Sequence, residues 1–193
     1  DSDDRESYVA PIVNSKFQET DFQKAFHAVG EDIANTSYDA SLVVDEQHKY
    51  LVGINSFGLD SGDQKIAQFT KDSQSWNELL SEIRFHADIS PDKETADKEN
   101  RARYEKMARE IATLRNQRIE SSKALIKGFH SDASHVEAVY HVLMPTSKGH
   151  KPQIHVGETT YLPVDLDNLK ILGSTTKNNP TNFRFTDGHH DYK

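Results

Sequence analysis

The sequence predicts an α+β fold with a mixed central β-sheet flanked by helices, and three observations carry that prediction. Apolar residues recur at helical spacing in three separate stretches. Between the first two stretches lie two β-rich segments joined by a short polar turn. After Gly128 the pattern changes to a period of two. A helix, then a hairpin, then helices, then strands is the order of an α+β chain.

Taken in order, residues 1–15 are polar and mixed around a short Val9–Val13 patch and are expected to form an N-terminal arm. From Lys16 to Asn35 the residues Phe22, Phe26, Val29 and Ile33 fall three or four apart, which predicts an amphipathic helix ended by Asn35-Thr36-Ser37. Leu42-Val43-Val44, the turn Asp45-Glu46-Gln47-His48 and the run Tyr50, Leu51, Val52, Ile54 predict a β-hairpin over Tyr38–Phe57. Gly58–Gly62 is a loop, and Ile66, Phe69, Trp76, Leu79, Leu80 and Ile83 follow at helical spacing. Ser90-Pro91-Asp92 is a helix-start signal. The charge-dense segment to Lys127, with a narrow stripe of Tyr104, Met107, Ala108, Ile111 and Leu114, predicts one long, mostly solvated helix. His135–Met144 and Gln153–Tyr161 read as strands around the loop 145–152, and Leu169–Leu172 and Asn182–Thr186 as shorter ones. The chain is thus expected to be an arm followed by a single domain over 16–193. Within it, 16–90 form a core, 91–128 the long helix and 129–193 a strand-rich part.

Composition narrows the function classes. A chain of 193 residues can bury one sizeable core, or one core and a small annex. With 35% apolar and 28% charged residues it reads as a polar globular protein, without an apolar run that would span a bilayer. Cysteine is absent, which excludes disulfide scaffolds, thiolate metal sites and a cysteine nucleophile, and fits a reducing cytoplasm. The net charge of −8 argues against a protein that coats nucleic acid unselectively, but leaves room for a DNA enzyme with a local basic surface. His27, His86, His141 and His155 have no zinc spacing, His189-His190-Asp191 reads as an incidental tail, and no nucleophile elbow, P-loop or dinucleotide fingerprint occurs. The start at Asp1 and the ending Asp191-Tyr192-Lys193 both suggest a trimmed chain.

Hydrolysis of a phosphodiester with a divalent metal needs carboxylates to hold Mg²⁺ and a lysine, or its equivalent, to handle the attacking water. One compact arrangement is an acid at the start of one hairpin strand and an acid-x-lysine pair on the next, where a period of two points both to one face. Asp39 stands at the start of the first strand. Gly53, Asn55 and Phe57 share one face of the second, Asp63 and Lys65 lie in the loop beyond it, and Glu31 on the preceding helix is a further carboxylate.

The run from Phe17 to Phe69, including Asn35-Thr36-Ser37-Tyr38-Asp39 and Gly53-Ile54-Asn55-Ser56-Phe57-Gly58, resembles the core of the PD-(D/E)xK superfamily of type II restriction endonucleases. The segment Asn182-Phe183-Arg184-Phe185-Thr186-Asp187-Gly188 resembles strand-turn segments near the C-termini of such enzymes. Together these cover about a third of the chain. The resemblance implies a restriction-endonuclease-like fold and a Mg²⁺-dependent hydrolase of double-stranded DNA. It further implies a homodimer on a palindromic site, in the prokaryotic cytoplasm and as part of restriction-modification. Asp39 would be the first metal ligand, with Glu31 and Asp63 as further acids and Asn55 and Lys65 at the nucleophile.

The sequence departs from that pattern. In one register Gly53 stands for the second acid and Asn55 for the lysine; in the other, Asn55 stands for the acid and Phe57 for the lysine. Three readings follow: Lys65 takes the lysine's role from the loop, the chain is an inactive Lys→Asn or acid→Asn variant, or it is a natural non-cutting binder. The inactive variant is preferred, because Asn matches the acids in size and lacks their charge. The alternative class is a non-catalytic DNA-binding or protein-interaction module.

Each feature also has a plainer structural reading. Asp39 can be a turn or cap residue, Gly53 can mark a bulge or a close approach, and Glu31 can be plain surface. The cations of the long helix alternate with Glu99, Glu105, Glu110 and Glu120, as on an ion-paired face, with Arg115 and Arg118 kept as candidate DNA contacts. Lys148, His150 and Lys151 in one loop, and Lys177, Asn178 and Asn179 in another, are the remaining candidates for phosphate or base contact.

Overall fold

A computed structural model describes residues 14–30, 38–45, 47–59, 61–62, 69, 75–129, 135–146, 151–160 and 162–193. The chain divides into two compact units, one of residues 1–64 with 118–162 and the other of 65–117 with 163–193. No helix among the described residues is long and apolar enough to cross a membrane.

The first unit begins with helix α1 (Ser15–Phe26), whose start is capped by the Asn14 side chain accepting from Lys16 N at 3.0 Å. The helix stops at His27, a non-glycine residue in the left-handed region (φ 53°), with Ala28 N returning to Gln23 O. The expected helix to Asn35 is therefore cut short. Val29 does not continue the apolar face but forms strand β1 (Val29–Gly30), paired antiparallel with Ser41 and Ala40 of β2 (Ala40–Val43). A β-branched residue followed by glycine extends more readily than it coils. Ile33 and Asn35 lie outside the described residues.

The expected hairpin is present: β2 pairs antiparallel with β3 (His48–Ser56), in the register Ala40↔Val52 to Val43↔Lys49. Its turn is built on Asp45, whose carboxylate accepts from the backbone of Gln47 and His48 at 2.8 and 2.7 Å. On its other edge β3 runs parallel to β4 (His135–Pro145), and β4 turns back antiparallel into β5 (Ile154–Thr160). The five-stranded mixed sheet has the order β1-β2-β3-β4-β5. A parallel β3–β4 pair requires a long crossover, and the chain between them carries two helices, α2 (Asn77–Ile89) and α3 (Lys93–Phe129).

β3 is central and covered on both faces, which is why Leu51, Val52, Gly53 and Ile54 are all buried without a break. Val52 and Ile54 pack with Phe22 of α1 and Ala40. Leu51 packs on the other side with Tyr38, Ile119 of α3, Val136 and Ala138, with Tyr140 against the same cluster.

The second unit consists of α2, the α3 residues up to Gln117, and a three-stranded sheet of β6 (Lys170–Thr176), β7 (Asn179–Thr186) and β8 (Asp191–Tyr192). Ser90 ends α2 by donating its hydroxyl to His86 O. Asp92 opens α3 by accepting from Thr95 N at 2.8 Å, as the Ser-Pro-Asp signal leads one to expect. The core joins Ile83, Tyr104, Met107, Ala108 and Ala112 to Phe183 and Phe185. Asn116 binds Val164 twice, through Nδ2 to the carbonyl and Oδ1 to the N–H, both at 2.8 Å, so one carboxamide replaces a strand neighbour.

α3 is less solvated than its charge suggests. Ala96, Asn100, Tyr104, Met107, Ala108, Ala112, Arg115, Ile119 and Ser122 are all buried, a face that continues along the helix through small and polar residues. Counting only large apolar residues finds the middle of that face and misses its ends.

Gly173 supplies a direct test of the second unit. It sits at a bulge of β6 with φ +98°, and a Cβ there would lie 2.6 Å from Asp97 Oδ2. That carboxylate is held by Lys93 Nζ at 2.7 Å and by Ser174 N at 3.0 Å. Gly173→Ala is expected to destabilise by about 2 kcal/mol, read from urea denaturation. An unchanged midpoint would contradict this account of the bulge.

Candidate functional site

Asp39 is half-buried just before β2, and its backbone N–H bonds Val52 O at 3.0 Å. Its carboxylate Oδ2 accepts from Ile54 N at 2.6 Å. Regular pairing of β2 with β3 ends at Ala40↔Val52, and beyond that point the side chain takes the N–H that a strand neighbour would otherwise bind. A short charge-assisted bond of this kind fixes the carboxylate against β3 between Gly53 and Asn55 in sequence. The bond fits the plainer reading of Asp39 as a turn or cap residue.

Asn55 is half-buried near the C-terminal end of β3, opposite Val142, and Gly53 lies opposite Tyr140. The Tyr140 ring lies over Gly53, where an added Cβ would be 3.0 Å from both Cδ1 and Cε1 and 3.9 Å from Asn55 Nδ2. The glycine thus marks a close approach, one of the meanings that a glycine inside a buried strand carries. Tyr140 is the residue that sequence reasoning passed over. The signal for it was Gly53 itself, but no pattern in the chain says which residue leans on a glycine. Phe57 continues past the strand end, its N–H bonding Leu143 O at 3.2 Å.

The hairpin thus brings Asp39 beside the Gly53–Asn55 stretch. Glu31, Asp63, Lys65, Lys148 and His150 lie outside the described residues. Among the described residues no three His, Asp or Glu side chains form a group able to hold a metal ion.

The candidate DNA contacts fall in both units. Arg118 and Lys151 in the first are exposed, and Lys151 O also accepts from the Thr146 hydroxyl. Arg115 in the second is only 6% exposed, so it lies on the buried face of α3 and does not serve as a surface contact to phosphate. Lys177 and Asn178 form the two-residue turn of the β6–β7 hairpin, whereas Asn179, expected in a loop, is the first residue of β7 and pairs with Thr176. The Thr95 N–H, with a much smaller contribution from the Lys177 charge, holds the pKa of Asp92 below its ordinary value. His189 and His190 use their backbone: both N–H groups donate to Asp187. Their exposed side chains belong to a turn.

Comparison of the chain with family models, with curated proteins and with solved structures returns no match.

Proposed function

We propose that this chain is a nuclease-type domain of the PD-(D/E)xK kind that binds double-stranded DNA and, in the form described by Asp39, Gly53 and Asn55, does not cut it. The observation that carries this reading is the Asp39 carboxylate fixed on Ile54 N at 2.6 Å, at the entry of a hairpin whose second strand runs parallel to β4. By the resemblance, the first acid of a phosphodiester-cleaving hairpin stands at the start of its first strand, and the place of Asp39 supports that reading. Mg²⁺ is the metal the reading implies, and the described donors do not fit it: Asp39 is joined by a neutral carboxamide at 55 and by no side chain at 53. Glu31, Asp63 and Lys65 are the residues that would make good the deficit in a cutting enzyme. A homodimer on a palindromic site, in a prokaryotic cytoplasm, belongs to the same proposal.

The test is duplex binding followed by fluorescence anisotropy in EDTA at increasing salt. Affinity should fall steeply with salt, as phosphate contacts require. Asp39→Asn keeps an acceptor for Ile54 N but removes a negative charge facing the phosphates, and should tighten binding by about fivefold, equivalent to roughly 1 kcal/mol. No affinity for duplex DNA, or an affinity indifferent to Asp39→Asn, would overturn the reading. Cleavage with Mg²⁺ that Asp39→Asn abolishes would overturn only its non-cutting part and pass the missing roles to Glu31, Asp63 and Lys65.

The rival reading, a protein-interaction module on the same fold, is favoured by one observation, the net charge of −8. It predicts no salt-dependent duplex binding at all.

A further inference from the structure

We infer that Tyr140 closes position 53 to a metal-binding acid, so that the Gly53–Tyr140 pair sets the metal capacity of the candidate site. The inference rests on the nuclease-type reading for its meaning and on packing for its substance. β3 is the strand on which a second acid is needed, and Gly53 and Asn55 share a face of it. At 53 a Cβ alone would already stand 3.0 Å from two carbons of the Tyr140 ring. That is well inside ordinary carbon–carbon contact, before a carboxylate is built on it. Tyr140 is half-buried and packs against the cluster of Tyr38, Leu51, Ile119, Val136 and Ala138, so a shift of the ring costs it those contacts.

The register with an acid at 53 and a lysine at 55 thereby requires the Tyr140 ring to move. Restoring those residues on β3 alone does not restore a site. The other register puts the acid's place at Asn55, where the carboxamide offers an oxygen without a charge. Gly53 and Tyr140 are a matched pair in which the aromatic ring occupies the volume that an acidic side chain would need.

Two measurements on the full chain separate this inference from the reading beneath it. The first is a stability cycle. Gly53→Ala should lower the melting temperature when Tyr140 is present and leave it equal or higher in a Tyr140→Ala background, where alanine suits a strand better than glycine. Equal effects in the two backgrounds would overturn the inference. The second is Mn²⁺ binding followed by the electron paramagnetic resonance of the free ion. Gly53→Asp with Tyr140→Ala should bind Mn²⁺ roughly tenfold more tightly than the unaltered chain, because a second charged ligand joins the first. Gly53→Asp alone should show no such gain, and adding Asp39→Asn to the double variant should remove it. If Gly53→Asp alone gains as much as the double variant, Tyr140 is not the barrier and the inference fails. If the stability coupling is present but the double variant gains no Mn²⁺ affinity, Tyr140 does not set metal capacity, and the nuclease-type reading of this hairpin fails with it.

Discussion

Tyr104→Ala should destabilise the protein by about 4 kcal/mol, the range expected for deleting a large buried aromatic side chain. Tyr104 is fully buried, its ring stacks on Phe183 with centroids 4.7 Å apart, and its hydroxyl donates to Pro180 O at 2.9 Å. Tyr104→Phe keeps the ring and strands that carbonyl, at a cost of about 1 kcal/mol. The two variants therefore separate packing from hydrogen bonding. Burial, with a smaller contribution from the Asp97 charge, pushes the Tyr104 hydroxyl up to about 12 from its ordinary 10.0. The raised value means that the folded state favours the protonated phenol. Its contribution is fully present below pH 10 and is lost as pH rises towards 12, a difference of about 2–3 kcal/mol. Denaturation midpoints of the chain and of Tyr104→Phe should meet soon above pH 10 and cross before 12, because the loss of about 2–3 kcal/mol exceeds the roughly 1 kcal/mol that the hydroxyl contributes. If Tyr104→Ala and Tyr104→Phe share one midpoint, the stack on Phe183 carries nothing.

Elements with a strong local signal were legible in the sequence, and those made by distant partners were not. The hairpin, the long helix and the β4 and β5 strands follow from period and turn chemistry. β1 did not, because Val29 fits a helical face by spacing, and only pairing with Ser41 makes it a strand. β7 begins earlier than its apolar run because Pro180 is tolerated there: β8 pairs only with Phe185 and Thr186, so the missing N–H lies where β8 has no partner for it. The buried face of α3 was underestimated because Asn100, Arg115 and Ser122 carry it as much as its apolar residues do.

Legibility of the candidate site ends at a similar boundary. The place of Asp39 followed from the hairpin, but its bond to Ile54 N depends on how β2 leaves the sheet. Gly53 was visible as an anomaly, while the cause, Tyr140, lies far along the chain beyond two helices and meets it only through the parallel β3–β4 register. Arg115 looked like its neighbour Arg118 in sequence; the helical turn buries one and exposes the other.

The same contrast between sequence and environment makes Asp187 the most informative acid in the chain. Asp187 is 2% exposed, and burial by itself would raise its pKa. The N–H groups of His190, His189 and Asp165, at 2.8, 3.0 and 3.2 Å, together with the Tyr192 hydroxyl at 3.1 Å, outweigh burial and hold it at about 2, below the ordinary 3.8. Four donors converge on one carboxylate, which closes the turn through Gly188 (φ +86°) and ties it to the segment at Asp165. Asp187→Asn keeps the shape but turns an amide N–H₂ towards these donors, and should destabilise by about 2–3 kcal/mol. A depressed value means that the charged form stabilises the fold. The contribution is present above pH 3.8 and is lost as pH falls towards about 2, amounting to about 2 kcal/mol. The acids Asp45, Asp92 and Asp165 are shifted in the same direction but lie in solvent, so they should leave no comparable mark on stability. The difference in urea midpoint between the chain and Asp187→Asn should therefore be constant at mildly acidic pH, shrink below about 4 and vanish near 2. A difference that stays constant down to that pH would show that Asp187 acts through the shape of the turn rather than through its charge.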